Sequence, residues 1–134
     1  MRTKILKTSL LILMMSLIGL TMTLVVAVFP QDKGAYCLKD YEEYLRFGYE
    51  SEKQYGEVHN IYDACWIATD AVAEKLPESR LSILSTEYRR QVYYDGESNT
   101  WFVYFSLYDP KVLGGEYGCI ISSSGEVISC WGWK

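Results

Sequence analysis

His59 is the chain's single histidine, and Asp63 follows it one helical turn later. That spacing would let a carboxylate orient an imidazole for general-base work. One histidine makes a multi-histidine metal site or a Ser-His-Asp triad hard to build. Near a helix start the charged imidazole is also disfavoured, so His59 reads as an exposed or capping residue. Asp63, Asp70 and Glu74 recur on one side of the same segment. They form either a solvated helix face or an acidic stripe for a basic partner. Tyr93, Tyr104 and Asp95 offer phenol and carboxyl groups that could pair in a small-molecule pocket. Such pockets need further helices to close them, and one clear helix is present in this part of the chain. Gly114-Gly115 follows no strand-to-helix pattern and reads as a turn, not a phosphate loop. Trp131 and Trp133 share a face by alternation and suit either a core or a binding anchor. No catalytic residue, cofactor or metal is expected.

Cys37, Cys65, Cys119 and Cys130 make an even set without a Cys-x-x-Cys spacing, which removes the usual zinc and thioredoxin-like arrangements. A two-residue turn at Ser124-Gly125 would place Ser123 opposite Glu126 and, counting back, Cys119 opposite Cys130. Directly paired residues lie about 4.5–5.5 Å apart at Cα, a distance that a disulfide tolerates. A Cys119–Cys130 disulfide is the expectation, with two buried thiols as the alternative.

The elements that would position these residues are legible from their periods. Val58, Ile61, Tyr62, Cys65, Ala68, Thr69, Val72 and Leu76 recur every three or four residues and predict a helix over 58–76. Asn60 is its expected N-cap, Asp63 lies in its first turn, and Pro77 ends it. Beyond Pro77 the period becomes two. Tyr88–Tyr94 and Thr100–Tyr108 read as strands joined by the turn Asp95–Asn99, and Glu116–Ser122 and Glu126–Trp131 as a closing hairpin. Within Thr100–Tyr108, Trp101, Val103, Phe105 and Leu107 point one way and Phe102, Tyr104 and Tyr108 the other. One helix covers one face of a sheet. The expected fold is therefore α+β, one amphipathic helix on a four-stranded antiparallel meander. The uncovered face would carry Phe102, Tyr104 and Tyr108 as an exposed aromatic patch, or Trp101, Val103 and Phe105 if the parity is reversed.

The 134 residues divide unevenly. Ten of the 13 Lys and Arg and all 17 Asp and Glu lie beyond residue 30, which gives that part a formal charge of −7. An acidic body argues against sequence-independent nucleic-acid binding. The length excludes a TIM barrel, which needs about 250 residues. An aromatic content of 15% argues against disorder. Before this body, Arg2, Lys4 and Lys7 precede a stretch, 9–29, that has no charged residue. A helix of that length can span a bilayer, and the basic flank favours a cytoplasmic N-terminus with the body outside. The stretch reads as an uncleaved signal anchor, which its length favours, or as a signal peptide cut after Ala27. Residues 31–57 read as a polar, Tyr-rich linker with a short helix from Tyr41 to Phe47, and 58–134 as the folded domain.

The order of elements resembles the bacterial immunity proteins with a nuclear-transport-factor-two-like (cystatin-like) fold. The resemblance rests on Ile61-Tyr-Asp-Ala-Cys-Trp-Ile-Ala68, Trp101-Phe-Val103, Leu113-Gly-Gly115, Cys119-Ile-Ile121, the Ser124-Gly125 turn, Glu126-Val-Ile128 and the basic end at Lys134. It implies a non-enzymatic protein that neutralises a protein toxin by stoichiometric binding in the cell envelope. The alternatives are an anchored envelope binding module without a toxin, or a small-molecule binder or enzyme of the same fold class. The partner surface is expected on Phe102, Tyr104 and Tyr108, with Asp63, Asp70 and Glu74 as acidic contacts.

Overall fold

The computed structural model describes residues 2–79, 83, 88–108 and 115–133, with the backbone alone at residues 2 and 18–28. Helix α1 covers Arg2–Val28. It starts inside the basic flank. Among the described residues no helix is long and apolar enough to cross a membrane. This overturns the expected transmembrane helix.

The sheet also differs from the four-stranded meander. It has five strands in the order β1-β2-β3-β4-β5. These are β1 (Gln31–Ala35), β2 (Tyr88–Asp95), β3 (Thr100–Leu107), β4 (Glu116–Ser122) and β5 (Val127–Trp133). Strands β2 to β5 pair antiparallel with their neighbours, but β1 lies parallel to β2, so the sheet is mixed. Beyond α1, the described residues include the helices α2 (Glu42–Phe47) and α3 (Ile61–Lys75). Strand β1 is short, polar and exposed throughout. It therefore has none of the apolar alternation by which β2–β5 are read from sequence.

Between β1 and β2 the chain wraps around the sheet. Residues 36–47, including a 3-10 turn at Leu38–Tyr41 and then α2, cross one face. The chain next follows the outer edge of β5, with bridges Tyr49↔Cys130 and Gln54↔Glu126. It then returns over the opposite face as α3. The stretch 31–57, expected as a linker, is thus part of the fold.

Helix α3 starts where its sequence directs. Asn60 Oδ1 accepts from the N–H groups of Tyr62 and Asp63 at 3.0 and 2.9 Å. The Asp63 carboxylate accepts from the His59 N–H at 3.0 Å. The Asn60 bonds satisfy two donors that the first turn leaves without helical partners, and the Asp63 bond ties back the residue before the cap. Leu76 follows as the C-cap, and Pro77 opens a 3-10 turn. The buried side chains of α3 are Ala64, Cys65, Ile67, Ala68, Ala71 and Val72. The face is rotated from the expected one: Tyr62 lies outside, 52% exposed, and Ala64, Ile67 and Ala71 are buried instead, while Trp66, not expected on the buried face, is 64% exposed. Three alanines with no exposed surface bring the helix close to Val92, Val103, Phe105, Cys119 and Ile121. Apolar surface removed from water in this layer stabilises the fold by about 25 cal/mol per Å².

The closing hairpin turns through three residues, not two. The Gly125 N–H donates to the Ser122 carbonyl at 3.0 Å, and the Ser122 N–H to the Glu126 carbonyl at 2.8 Å. Gly125 has φ 88°, and a Cβ there would fall 1.9 Å from the Gly56 carbonyl oxygen, so glycine is required on both counts. A register shift follows: Ile121 faces Val127 while Ile120 faces Ser129. The residue added at this bulge offsets the altered turn and sets Cys119 opposite Cys130. Both are nevertheless free thiols, as are Cys37 and Cys65, so the expected disulfide is not formed. Burial pushes the Cys119 thiol well up and that of Cys130 to about 12. Both thiols therefore stay protonated at neutral pH.

Candidate functional site

The second sheet face, expected to be an open aromatic patch, is largely covered. Phe102 is 3% exposed and Trp131 2% exposed. With Ile120 they form a second core under Tyr36, Leu38, Tyr41, Tyr44 and Leu45. Gly118 on β4 makes this packing possible, because a Cβ there would lie 2.6 Å from the Trp131 ring. With no side chain in the way, Trp131 lies flat over β4. It stacks against Phe102 at 5.8 Å and Tyr44 at 4.7 Å between ring centres.

The crossing segment is pinned at its start. Asp95 accepts from the Leu38 N–H at 3.1 Å and from the Ser98 hydroxyl at 2.7 Å, and the Tyr36 hydroxyl bonds Thr100 Oγ1. The Ser98 hydroxyl, then the Leu38 N–H, hold the Asp95 carboxyl below the usual carboxylate range. Burial raises the Tyr36 phenol to about 12. At its far end Ser129 Oγ donates to the Tyr44 carbonyl at 2.8 Å. The Trp133 indole N–H donates to the Tyr44 hydroxyl at 3.2 Å.

Between these two ties lies an open cleft with a volume of about 310 Å³. Its described lining is Tyr41 and Tyr44 from the crossing segment, Tyr93 from β2, Phe102 and Tyr104 from β3, Glu116 from β4 and Trp133 from β5. Tyr93 stacks on Phe102 at 5.6 Å, and Tyr41 lies 4.7 Å from Phe102. Tyr104 and Trp133 stand at 88° to each other with centres 5.5 Å apart. The Tyr104 hydroxyl donates a short hydrogen bond to Glu116 Oε2. Burial, then this bond, raises the Tyr104 phenol above its ordinary value, so it remains a donor at neutral pH.

No family model, curated protein or solved structure matches this chain. Its site must be read from its own geometry.

The residues singled out in the sequence fall in several places. Phe102 is the cleft floor and Tyr104 a wall. Tyr108 lies beyond β3 at 40% exposure, with the Arg89 guanidinium 4.6 Å from its ring centre. It does not line the cleft. Asp63 is engaged in capping α3. Asp70 and Glu74 do not form a free acidic stripe. Lys53 Nζ lies 3.2 Å from Asp70 and 2.8 Å from Glu74, and the Tyr55 hydroxyl donates to Asp70 at 2.6 Å. The Tyr55 bond, with Lys53, holds the Asp70 carboxyl low. His59 is exposed, 3.9 Å from Glu57, and distant in sequence and contact from the cleft. Tyr93 does line the cleft, whereas Asp95 is spent on anchoring the crossing segment. Asp109, Pro110 and Leu113-Gly114 of the expected loop and the basic Lys134 lie outside the described residues.

Sequence reasoning missed Tyr41, Tyr44 and Glu116. A signal for the first two exists: Tyr41, Tyr44 and Leu45 sit at i, i+3 and i+4, the face of one helical turn. Glu116 shares the parity of Gly118 and Ile120, so its cleft face follows once that parity is assigned to the second sheet face.

Proposed function

We propose that the chain is a toxin-neutralising immunity protein that acts by stoichiometric binding, and that the aromatic cleft is where the toxin docks. The cleft itself carries this reading. It is open to solvent, and its rings are held by stacking and by ties at both ends of the crossing segment. Little side-chain freedom remains to be lost on binding. Rigid aromatic anchors of this kind dominate the energetics of protein interfaces. The −7 charge of the body supports the choice of a cationic toxin, because complementary fields accelerate encounter. The basic flank and the uncharged stretch that follows support action outside the cytoplasm, with the leader removed after Ala27.

Co-expression tests the reading. Cells making the full chain should survive a cognate secreted toxin that kills cells without it, and purified toxin and protein should form a one-to-one complex. Survival with no complex would replace neutralisation by binding with another mode of protection.

A further inference from the structure

Among the described residues that line the cleft, six are aromatic, one is acidic and none is basic. A merely greasy groove would present aliphatic side chains as readily as rings. Tyrosine, tryptophan and phenylalanine faces share a property that leucine lacks, a negative electrostatic face that attracts cations. Glu116 adds a carboxylate to that surface. The Tyr104 hydroxyl holds one of its oxygens in place, which fixes the carboxylate against the cleft wall. The perpendicular pair Tyr104 and Trp133 supplies two faces at a corner beside Glu116, its cross-strand neighbour Trp133 being directly opposite on β5.

We propose that this cleft is a receptor for an arginine side chain of the protein partner. The assignment rests on the partner-binding reading above and names the chemistry of that contact. A guanidinium is planar, weakly hydrated and able to stack on a ring while its edge donates to a carboxylate. An ammonium is more strongly hydrated and loses more on entering a cleft of aromatic rings. The Tyr104–Glu116 bond leaves Glu116 Oε1 to receive the fork of N–H donors, with the flat of the guanidinium against an aromatic wall. Tyr104 acts here as a positioning residue as well as a wall.

Model side chains separate charge from shape. The full chain is titrated with N-acetyl-arginine methylamide, with the citrulline analogue of the same shape and no charge, and with the lysine analogue. The readout is the Trp133 indole N–H resonance, assigned by its loss in Trp133→Phe. Arginine should bind about tenfold more tightly than citrulline, the size of a partly desolvated cation–π and carboxylate contact, and more tightly than lysine. Glu116→Gln keeps the shape of the cleft and should remove most of the preference for arginine over citrulline at an unchanged thermal midpoint. Equal binding of arginine and citrulline, tighter binding of lysine, or no saturable shift would each overturn the assignment. Toxin protection without arginine binding would leave neutralisation standing and remove the arginine receptor. Arginine binding without protection would do the reverse.

Discussion

Gly118 determines how the second sheet face packs. A Cβ would meet the Trp131 ring at 2.6 Å, and that ring also stacks with Phe102 and Tyr44. Gly118→Ala should therefore destabilise the protein by about 1–3 kcal/mol in urea unfolding, the usual cost of overpacking a filled core. An unchanged midpoint would mean that Trp131 is loosely held. The cysteines give a second check. Cys119 and Cys130 are fully buried and their thiols are raised by burial, whereas Cys37 is half-buried on the crossing segment. Alkylation at pH 8 followed by mass spectrometry should modify Cys37 first and the buried pair only in denaturant. Rapid labelling of Cys119 in the native protein would contradict this. Turn counting placed Cys119 opposite Cys130 from a two-residue turn that the hairpin does not have, and the alignment held because two departures cancel. The three-residue turn and the bulge were not readable, because they change the register in opposite directions and leave the cysteine alignment unaltered.

The crossing segment is the element that turns a two-layer sheet into one with both faces used. Its anchor, Asp95, has a folded value below that of an unfolded aspartate, about 3.9. Its bonds to Ser98 and Leu38 thus contribute stability above that pH, and the contribution is lost as pH falls through the folded value. On acidification below about pH 4 the near-ultraviolet circular dichroism, which reports the stacked Tyr and Trp rings, should fade before the far-ultraviolet signal. In Asp95→Asn the aromatic signal should be weaker at neutral pH and this acid step absent. Coincident loss of both signals in the wild-type chain would mean that the segment is no separate unit. Sequence periodicity was informative for α3 and β2–β5 because each buries one regular face. It failed for β1, which is exposed throughout, and for Tyr36, which packs from a coil; the i, i+3, i+4 spacing of Tyr41, Tyr44 and Leu45 spans a single turn, too short to stand out from a polar segment. Counting only one helix to cover the sheet then made the second face look bare.

At the scale of the molecule, two of the aromatic surfaces among the described residues lie on opposite faces of the sheet. One is the cleft ending in Trp133. The other is the outer face of α3, where Trp66 is 64% exposed with Tyr55 edge-on to it at 5.8 Å. In the first the carboxylate, Glu116, has no ion-pair partner among the described residues. On the outer face the nearby acids Asp70 and Glu74 are neutralised by Lys53. The body's charge should make association with a cationic toxin slow down as salt rises, with dissociation much less affected. Export with removal of the leader should give a mature chain beginning at Val28, which N-terminal sequencing of the protein from the envelope would read. The most decisive comparison sets Trp133→Ala against Trp66→Ala in the toxin survival assay, with thermal midpoints confirming that both fold. Loss of protection in Trp133→Ala with full protection in Trp66→Ala is the expected result. Full protection by Trp133→Ala, or loss in Trp66→Ala alone, would move the docking surface off the cleft and onto α3.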